Sequence, residues 1–433
     1  MQYEATVPTM KDRAMQALYL LALEPIAECT ADPHSYGFRP KRCAADAMVR
    51  CQHIFSGADR AQWVLEGDIK ACFDNISHEW LIAHVPMDKA ILHKWLKAGF
   101  MQGRTLWPTD AGTPQGGIIS PAVANVALDG LETMLRQNFR RMKRTTNLDK
   151  VHLVRYADDF IISGSSRELL VNEVKPQVEN FLKARGLELS QEKTSITRIE
   201  HGFDFLGWNV RRYSNGSVLA KPSKKSVLTF MRKIRALVKG QKYLPQGALI
   251  GMLNPLIRGW ANYHRCAMAA KTFHVVSWRI WQTLWRWAKR RHPNKGGHWI
   301  ARRYWIMNGP RWVFATRGQK RKIVKLIDLA DISIQRHVKI QSGANPYDPK
   351  WEMYLEGRVQ RQMKETLSGR LWKLWYRQEG RCPVCNQLIT TETDWHMHHI
   401  VWRVQGGSDR LDNLALLHPD CHRQVHSLKF AVA

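Results

Sequence analysis

The chain has 433 residues, of which 44% are hydrophobic, so it is long enough to fill the cores of about three domains. Its net charge of +29 indicates that its partners are polyanions. Without a signal peptide, an apolar run that could span a membrane, or a disulfide framework among its eight cysteines, the chain is expected to be cytoplasmic, with no membrane partner.

The first predicted element is a helix that follows Thr9, where Thr9 and Asp12 form a capping box. Apolar residues recur at helical spacing over Met15–Ile26 and give this helix an apolar stripe. Next comes Ser35–Pro40, which places Arg39 in a turn between a glycine and a proline. A lone arginine in such a turn is normally only a solvated charge.

A predicted strand over Trp63–Ile69 carries an acidic residue, Asp68, near its end. The alternation of apolar residues along this strand places Asp68 on the face opposite to them. Phe73 follows, at a position where a phenylalanine is more often part of a core than of a site. Ser77 is expected to cap a short helix that runs through Val85.

The segment Gly112–Gly117 is expected to be a loop, because its six residues include three glycines and a proline. Glycine lets a backbone approach a nucleotide or a nucleic acid closely, and Gln115 lies inside the segment. A surface loop without any function would explain the same composition.

A predicted hairpin over Val151–Gly164 carries two adjacent acids, Asp158 and Asp159, at its bend. Taken alone, this pattern is typical of an ordinary solvated turn. Together with Asp68, however, the pattern predicts a two-metal site for phosphoryl transfer. One strand that ends in an acid, beside a hairpin with two acids at its bend, could bind a pair of Mg²⁺ ions. Such a site would activate a 3′-hydroxyl and stabilise a leaving pyrophosphate.

Residues 221 to about 304 are expected to be mostly helical, and 286–325 hold thirteen Lys or Arg and no acid. The basic side chains would neutralise phosphates, and the tryptophans between them would stack on unpaired bases or pack in a core. These tryptophans are Trp287, Trp299, Trp305 and Trp312. Three others lie at helical spacing and are predicted to be buried: Trp278, Trp281 and Trp285.

Near the end of the chain, two pairs of metal-ligating residues predict a structural Zn²⁺ site of the Cys₃His type. They are Cys382 with Cys385, and His418 with Cys421. Between and after them lie further histidines and an asparagine: His396, His398, His399, Asn413, His422 and His426. These histidines could be incidental to a zinc-binding module. Their ordered series, with the asparagine between them, favours a nuclease instead.

In chain order, these segments resemble a group II intron-encoded reverse transcriptase, or maturase, with a C-terminal HNH endonuclease domain. Five blocks of the reverse transcriptase and the signature of the maturase thumb are matched. The matched segments are Ser35–Pro40, Glu66–His78, Gly112–Pro121, Tyr156–Phe160, Phe203–Gly207 and Arg258–His264. Tyr3–Pro8 matches the family poorly, so we expect the chain to lack the N-terminal part of the fingers.

The resemblance implies roles for residues of the polymerase site. Asp68, Asp158 and Asp159 would hold magnesium. Phe73 would exclude a 2′-hydroxyl from the sugar site, so that deoxynucleotides are selected. Arg39 would bind the triphosphate, and Gln115 would contact the incoming nucleotide or the template.

For the C-terminal segment, the resemblance implies that His399 deprotonates a water molecule. His398 and His422 would hold one divalent ion at the scissile phosphate. His426 lies one helical turn after His422 and would support that site, while Asn413 would pin the loop of the ββα motif.

The expected fold class is therefore α+β, with right-hand-like fingers and palm, a helical thumb and a small zinc-bound ββα domain. The predicted boundaries are 1–220 for fingers and palm, 221–305 for the thumb, 306–369 for a basic DNA-binding linker region and 370–433 for the nuclease. The implied activity is RNA-directed DNA synthesis that serves intron splicing and mobility, with nicking of target DNA. The partners would be intron RNA, target DNA and deoxynucleotides, and the protein would lie on the nucleoid when bound to DNA. A splicing factor with impaired catalysis is the alternative.

Overall fold

The computed structural model describes residues 9–57, 60–102, 105–113, 116–139, 142–143, 146–308, 311–318, 323–367 and 369–428. Two compact units divide the chain, one over residues 1–343 and the other over 344–433. Both mix helices with antiparallel strands, so the predicted α+β class is confirmed. Among the described helices, none has the length and apolar character needed to cross a membrane.

The first part of the first unit contains nine α-helices and eight strands among its described residues. The helices are α1 Met10–Thr30, α2 Ala44–Phe55, α3 Cys72–Asn75, α4 His78–His84, α5 Lys89–Leu96, α6 Ser120–Leu128, α7 Leu131–Asn138, α8 Arg167–Leu169 and α9 Lys175–Lys183. The strands are β1 Trp63–Asp68, β2 Phe100–Gln102, β3 Thr105–Trp107, β4 Met142–Lys143, β5 Thr146–Asn147, β6 His152–Tyr156, β7 Asp159–Gly164 and β8 Ser195–Arg198.

Four of these strands form an antiparallel sheet in the order β6-β7-β1-β8. Its buried face is apolar, with Leu65, Leu153 and Ile162 almost fully enclosed among side chains of the surrounding helices. Gly67 on β1 permits the close packing of Phe160, because a Cβ at Gly67 would lie 2.3 Å from the ring. The sheet therefore fixes the ends of β1 and β7 side by side.

Helix α1 has the predicted capping box, but its apolar stripe faces outward. Leu18 is 60% exposed and Ile26 is 48% exposed. The buried positions include Gln16, whose side chain accepts a hydrogen bond from the backbone N–H of Ile118 at 2.8 Å. They also include Glu28, which pairs with Arg39. Leu23 is also buried, within the apolar core. The covered face of the helix therefore mixes polar and apolar side chains and differs from the predicted stripe.

The rest of the first unit contains six strands and four α-helices among its described residues. The strands are β9 Phe203–Phe205, β10 Trp208–Arg212, β11 Val218–Pro222, β12 Trp305–Asn308, β13 Arg311–Arg317 and β14 Ile323–Lys325. The helices are α10 Lys224–Gly240, α11 Gln246–His264, α12 Ala270–Arg291 and α13 Gly297–Tyr304.

Helices α10 to α13 share an apolar core with strands β12 and β13, and the tryptophans divide between core and surface. Trp287 and Trp305 belong to the core, at 5% and 2% exposure. The predicted burial of Trp278 and Trp281 is wrong, because their side chains are 59% and 39% exposed. Trp281 lies at the edge of the core, with its ring 5.8 Å from that of the buried Trp305, and Trp278 is the more exposed of the two. Helical spacing alone could not reveal how far the core extends around α12.

The second unit begins with a short turn of helix at Pro349–Trp351 and ends in a ββα arrangement. Its helices are α14 Glu352–Thr366, α15 Gly369–Arg377 and α16 Pro419–Leu428, and its strands are β15 His396–His399 and β16 Leu414–Leu417. The division between the units falls inside the predicted 306–369 region, so that residues 306–343 belong to the first unit and 344–369 to the second.

Candidate functional site

Three aspartates meet at one end of the four-stranded sheet. Asp68, the last residue of β1, lies directly opposite Asp159, the first residue of β7, in the antiparallel register. Asp158 precedes it in the turn between β6 and β7, where Ala157 has a φ of 57°. The turn is thus a two-residue connection that places Asp158 and Asp159 at the end of the sheet beside Asp68.

Two neighbouring residues, Gly37 and Arg155, pack against this turn. Gly37 lies against it so closely that a Cβ at Gly37 would be 2.3 Å from the backbone nitrogen of Ala157. Arg155 is fully buried, pairs with Asp129 and donates to Oδ1 of Asn125 at 3.0 Å. A buried, fixed arginine next to the turn holds its backbone in place.

The electrostatics of this corner favour a cation. Burial raises the pKa of Asp159, and the charges of Asp158 and Asp68 raise it further. Lys193 lies against Asp68, with its ammonium 3.0 Å from each carboxylate oxygen. Among the described residues, the sets of ligand atoms within 4.8 Å of one another do not include this trio.

The donor set nevertheless fits magnesium, because three carboxylates that repel one another are the oxygen ligands that Mg²⁺ prefers. Lys193 was not predicted from the sequence. A lysine in a polar loop carries no pattern that would single it out, and only the fold brings it to Asp68.

The other predicted nucleotide-site residues differ in their surroundings. Phe73 is half-buried in α3 and contacts the ring of Phe38 edge-on, with 6.3 Å between centroids. Arg39 is buried and forms two hydrogen bonds of 2.7 Å to Glu28. It also donates to the carbonyl oxygens of Asp32 and Ser35, at 2.7 and 2.9 Å. Gln115 lies outside the described residues.

These contacts occupy the guanidinium of Arg39 with protein groups, so they favour a structural role for it. Its predicted role in binding the triphosphate stays a prediction. The ring of Phe73 is only partly enclosed, and its helix begins at Cys72, shortly after Asp68. Its predicted role at the nucleotide sugar also stays a prediction.

In the second unit, the four predicted zinc ligands come together. The ligand atoms of Cys382, Cys385, His418 and Cys421 all lie within 4.8 Å of one another. Nδ1 of His418 is 3.3 Å from the sulfur of Cys385 and 4.0 Å from that of Cys421. Burial raises the pKa of the Cys382 thiol, but hydrogen bonds from the backbone N–H groups of His418 and Cys385 outweigh this effect, so the pKa is lowered. This donor set fits Zn²⁺.

A second cluster in this unit contains three histidines. The ring nitrogens of His398, His422 and His426 lie within 4.8 Å of one another. Burial, with the charges of the neighbouring histidines, lowers the pKa of His398 to about 4. Neutral imidazoles are good metal ligands, so this cluster fits one divalent ion. His426 thus stands beside His398 and His422 as a third ligand candidate.

His399 extends from β15 next to this cluster. Its Nε2 lies 2.8 Å from Oδ1 of Asp409, which also pairs with Arg403 at 2.6 Å. A carboxylate in this position fixes the ring and its tautomer. Asp409 was not predicted, because its loop position has no pattern that links it to His399.

Asn413 spans the loop between β15 and β16. Its side chain accepts from the backbone N–H of Val401 at 2.7 Å and donates to the carbonyl oxygens of Val401 and Ser408, at 3.0 and 2.8 Å. These three hydrogen bonds are what the predicted pinning role requires.

Three family models match the chain, in the order of the described elements. "Reverse transcriptase (RNA-dependent DNA polymerase)" matches residues 3–210, "Group II intron, maturase-specific domain" matches 227–305 and "HNH endonuclease" matches 382–428. The aspartate trio lies in the first match, and the histidine and cysteine clusters lie in the third.

Among curated proteins, the group II intron-encoded protein LtrA of Lactococcus lactis is 30% identical over 49% of this chain and 45% of its own length. The protein YkfC of Escherichia coli is 28% identical over 54% of this chain and 70% of its own length. The chain therefore spans less than half the length of the first of these relatives. A solved telomerase from Candida tropicalis has a TM-score of 0.35 and 16% identity over 53% of this chain and 41% of that chain, too distant for any inference.

Proposed function

We propose that the chain copies RNA into DNA in the service of an intron, since it matches the reverse transcriptase, maturase and HNH endonuclease models in succession. In this proposal it assists splicing of the intron RNA, nicks a DNA target and extends the nicked end. The observation that carries the proposal is the pairing of Asp68 with Asp159 across β1 and β7, beside Asp158.

In the proposed polymerase site, Asp68, Asp158 and Asp159 hold magnesium. When bound there, magnesium activates the primer 3′-hydroxyl and neutralises the leaving pyrophosphate. Arg155 and Gly37 keep the aspartate turn in place through the contacts given above. Phe73 lies beneath the sugar and excludes a 2′-hydroxyl, so that deoxynucleotides are the substrates.

In the proposed nuclease site, His399 takes a proton from the attacking water and Asp409 keeps its ring in the productive orientation. His398, His422 and His426 hold a divalent ion, which stabilises charge on the scissile phosphate. The Cys₃His cluster holds zinc for structure. Pocket-lining residues beside Asp409 include Arg370, Lys373 and Arg410, whose charges suit a DNA backbone.

The proposed RNA-binding surface lies on the maturase-matched helices and the strands that follow. Trp278, Trp281 and Trp312 are each between 39% and 59% exposed and surround a shallow pocket. Exposed indoles are suited to stacking on unpaired bases, and the net charge of +29 is suited to attracting phosphates. With RNA and DNA as its partners, the proposed location of the protein is the cytoplasm, and the nucleoid when it is bound to DNA.

The test is a reaction of the purified chain with an RNA template, a nicked or intact DNA duplex, deoxynucleotides and Mg²⁺. We expect DNA copied from the RNA and covalently joined to the 3′-end at the nick. If the chain binds RNA and promotes splicing but incorporates no deoxynucleotide, the alternative of a splicing factor with impaired catalysis replaces this proposal.

A further inference from the structure

Cys43, Asp46 and His337 form a cluster of metal-ligating side chains that belongs to neither of the sites above. Their ligand atoms all lie within 4.8 Å of one another. The sulfur of Cys43 is 3.2 Å from Oδ2 of Asp46 and 3.8 Å from Nε2 of His337. Nε2 of His337 is 2.8 Å from Oδ1 of Asp46. Sulfur, oxygen and nitrogen donors thus face one another at short range.

Two distant parts of the chain build this cluster. Cys43 is the N-cap of α2 and Asp46 is the third residue of that helix, so the helix fixes both. His337 comes from the extended segment 332–343, which crosses over the start of α2. Backbone contacts hold that segment, since Ile340 donates its N–H to Oδ1 of Asp46 at 2.7 Å and the carbonyl of Ser342 accepts from Arg42 at 3.0 Å.

This cluster contains a buried negative charge, which a bound cation would stabilise. Asp46 is fully buried, and a buried carboxylate costs free energy unless positive charge or several donors lie close to it. Asp46 accepts hydrogen bonds from the backbone N–H groups of Cys43 and Ile340, which are neutral donors. His337 offsets the charge of Asp46 only while its ring is protonated.

We propose that Cys43, Asp46 and His337 bind one Zn²⁺ ion, with a water molecule in the fourth position. At the usual bond lengths of about 2.0–2.3 Å, tetrahedral zinc would place these donor atoms about 3.3–3.6 Å apart. The sulfur of Cys43 is 3.8 Å from Nε2 of His337 and 3.2 Å from Oδ2 of Asp46, while Nε2 of His337 is 2.8 Å from the other carboxylate oxygen, Oδ1. Small side-chain rotations would therefore suffice.

Binding would release the thiol proton of Cys43 to solvent. His337 would turn the lone pair of Nε2 to the ion in place of its hydrogen bond to Asp46. The ion would join α2 to the segment 332–343, so that this segment is fastened to the helix only when metal is present. A hydrogen-bonded clip without metal is the competing explanation, and it needs no thiolate.

Zinc content distinguishes the two explanations. The full chain is loaded with excess zinc and passed through a desalting column, and bound zinc per chain is then measured by mass spectrometry. Cys43→Ser and His337→Gln should each lose one equivalent relative to the wild type. Serine preserves the N-cap and glutamine can still donate to Asp46, so both variants should fold. Cys29→Ser, at an exposed cysteine outside the described clusters, is the matched control and should lose none.

A second readout follows the segment itself. Zinc should slow tryptic cleavage after Arg336 in the wild type and in Cys29→Ser, and should have no effect in Cys43→Ser. Equal zinc content in all four proteins, or protection of Arg336 by zinc in Cys43→Ser, would overturn the site. Since neither measurement involves polymerisation or nicking, the outcome is independent of the proposed function.

Discussion

The ammonium of Lys193 lies 3.0 Å from both carboxylate oxygens of Asp68, the residue opposite Asp159 at the end of the sheet. Asp68 and its neighbours raise the pKa of Lys193, chiefly through the hydrogen bond to Asp68, so the lysine is held charged. Lys193 therefore takes the place of a cation at the carboxylates. A magnesium ion that binds Asp68 must compete with it.

Lys193→Met should consequently bind divalent ions more tightly at the aspartate trio. An exposed ion pair contributes about 1 kcal/mol or less, so the gain in affinity should be at most about fivefold. Titration with Mn²⁺, followed by electron paramagnetic resonance without nucleotide, measures it. Lys183→Met, at another exposed lysine, should leave the affinity unchanged. Equal affinities in both variants would show that Lys193 does not compete with the ion.

The contacts of Arg39 predict that it stabilises the fold. Arg39→Met should lower the free energy of unfolding by about 3–5 kcal/mol, because it leaves Glu28 buried without its partner. Glu28→Leu combined with Arg39→Met should recover part of that loss. Urea denaturation measures both. If Arg39 binds the triphosphate instead, Arg39→Met would raise KM for deoxynucleotides and leave the stability unchanged.

His264 should make stability depend on pH. It is 1% exposed, lies 3.0 Å from the hydroxyl of Ser226, and burial lowers its pKa to about 4. Between about pH 6.5 and 4 the unfolded chain binds a proton at this residue and the folded protein does not. Stability should therefore fall as the pH drops through that window and level off below pH 4, by on the order of 3 kcal/mol in total.

The measurement compares the wild type with His264→Gln in urea at a series of pH values. Other groups titrate in both proteins, so the difference between their stabilities isolates His264. That difference should shrink from pH 7 to pH 4. A difference that stays constant over this range would show that the histidine is not held neutral.

The nuclease site predicts that nicking depends on His399. His399→Ala should slow nicking of duplex DNA by about 10²–10⁴-fold, the usual contribution of a general base, and should retain its zinc. Asp409→Asn should slow nicking less, because the side-chain oxygen of asparagine can still accept a hydrogen bond from the ring and only the negative charge is lost. Asp394→Asn, at an exposed acid of the same unit, is the control. Loss of zinc together with nicking in His399→Ala would indicate misfolding instead.

The sequence predicted much of both sites, for identifiable reasons. An acid at the end of a strand and two acids at a hairpin bend are local patterns, whereas the register that sets Asp68 opposite Asp159 is known only from the fold. The zinc ligands are likewise two short local pairs. The family models and the described elements confirm the resemblance that these patterns indicated.

Residues that act across the fold could not be predicted in this way. Lys193 and Asp409 lie in polar loops, and their partners are fixed only by long-range packing. The spacing of Trp278 and Trp281 predicted a helix correctly but not which side of α12 the core would cover. The apolar stripe predicted on α1 faces outward for a similar reason, since the face that the rest of the fold covers carries Gln16, Leu23 and Glu28.

The most direct test of the account is single-nucleotide incorporation by Asp158→Ala on an RNA template with a DNA primer and Mg²⁺. The account predicts a rate at least about 10³-fold below that of the wild type, because one of three ion-binding carboxylates is lost, while folding is unchanged. Glu168→Ala changes an exposed acid in the short helix α8, which follows β7, and this variant should incorporate at the wild-type rate. Wild-type incorporation by Asp158→Ala would contradict the assignment of this corner of the sheet as a polymerase site.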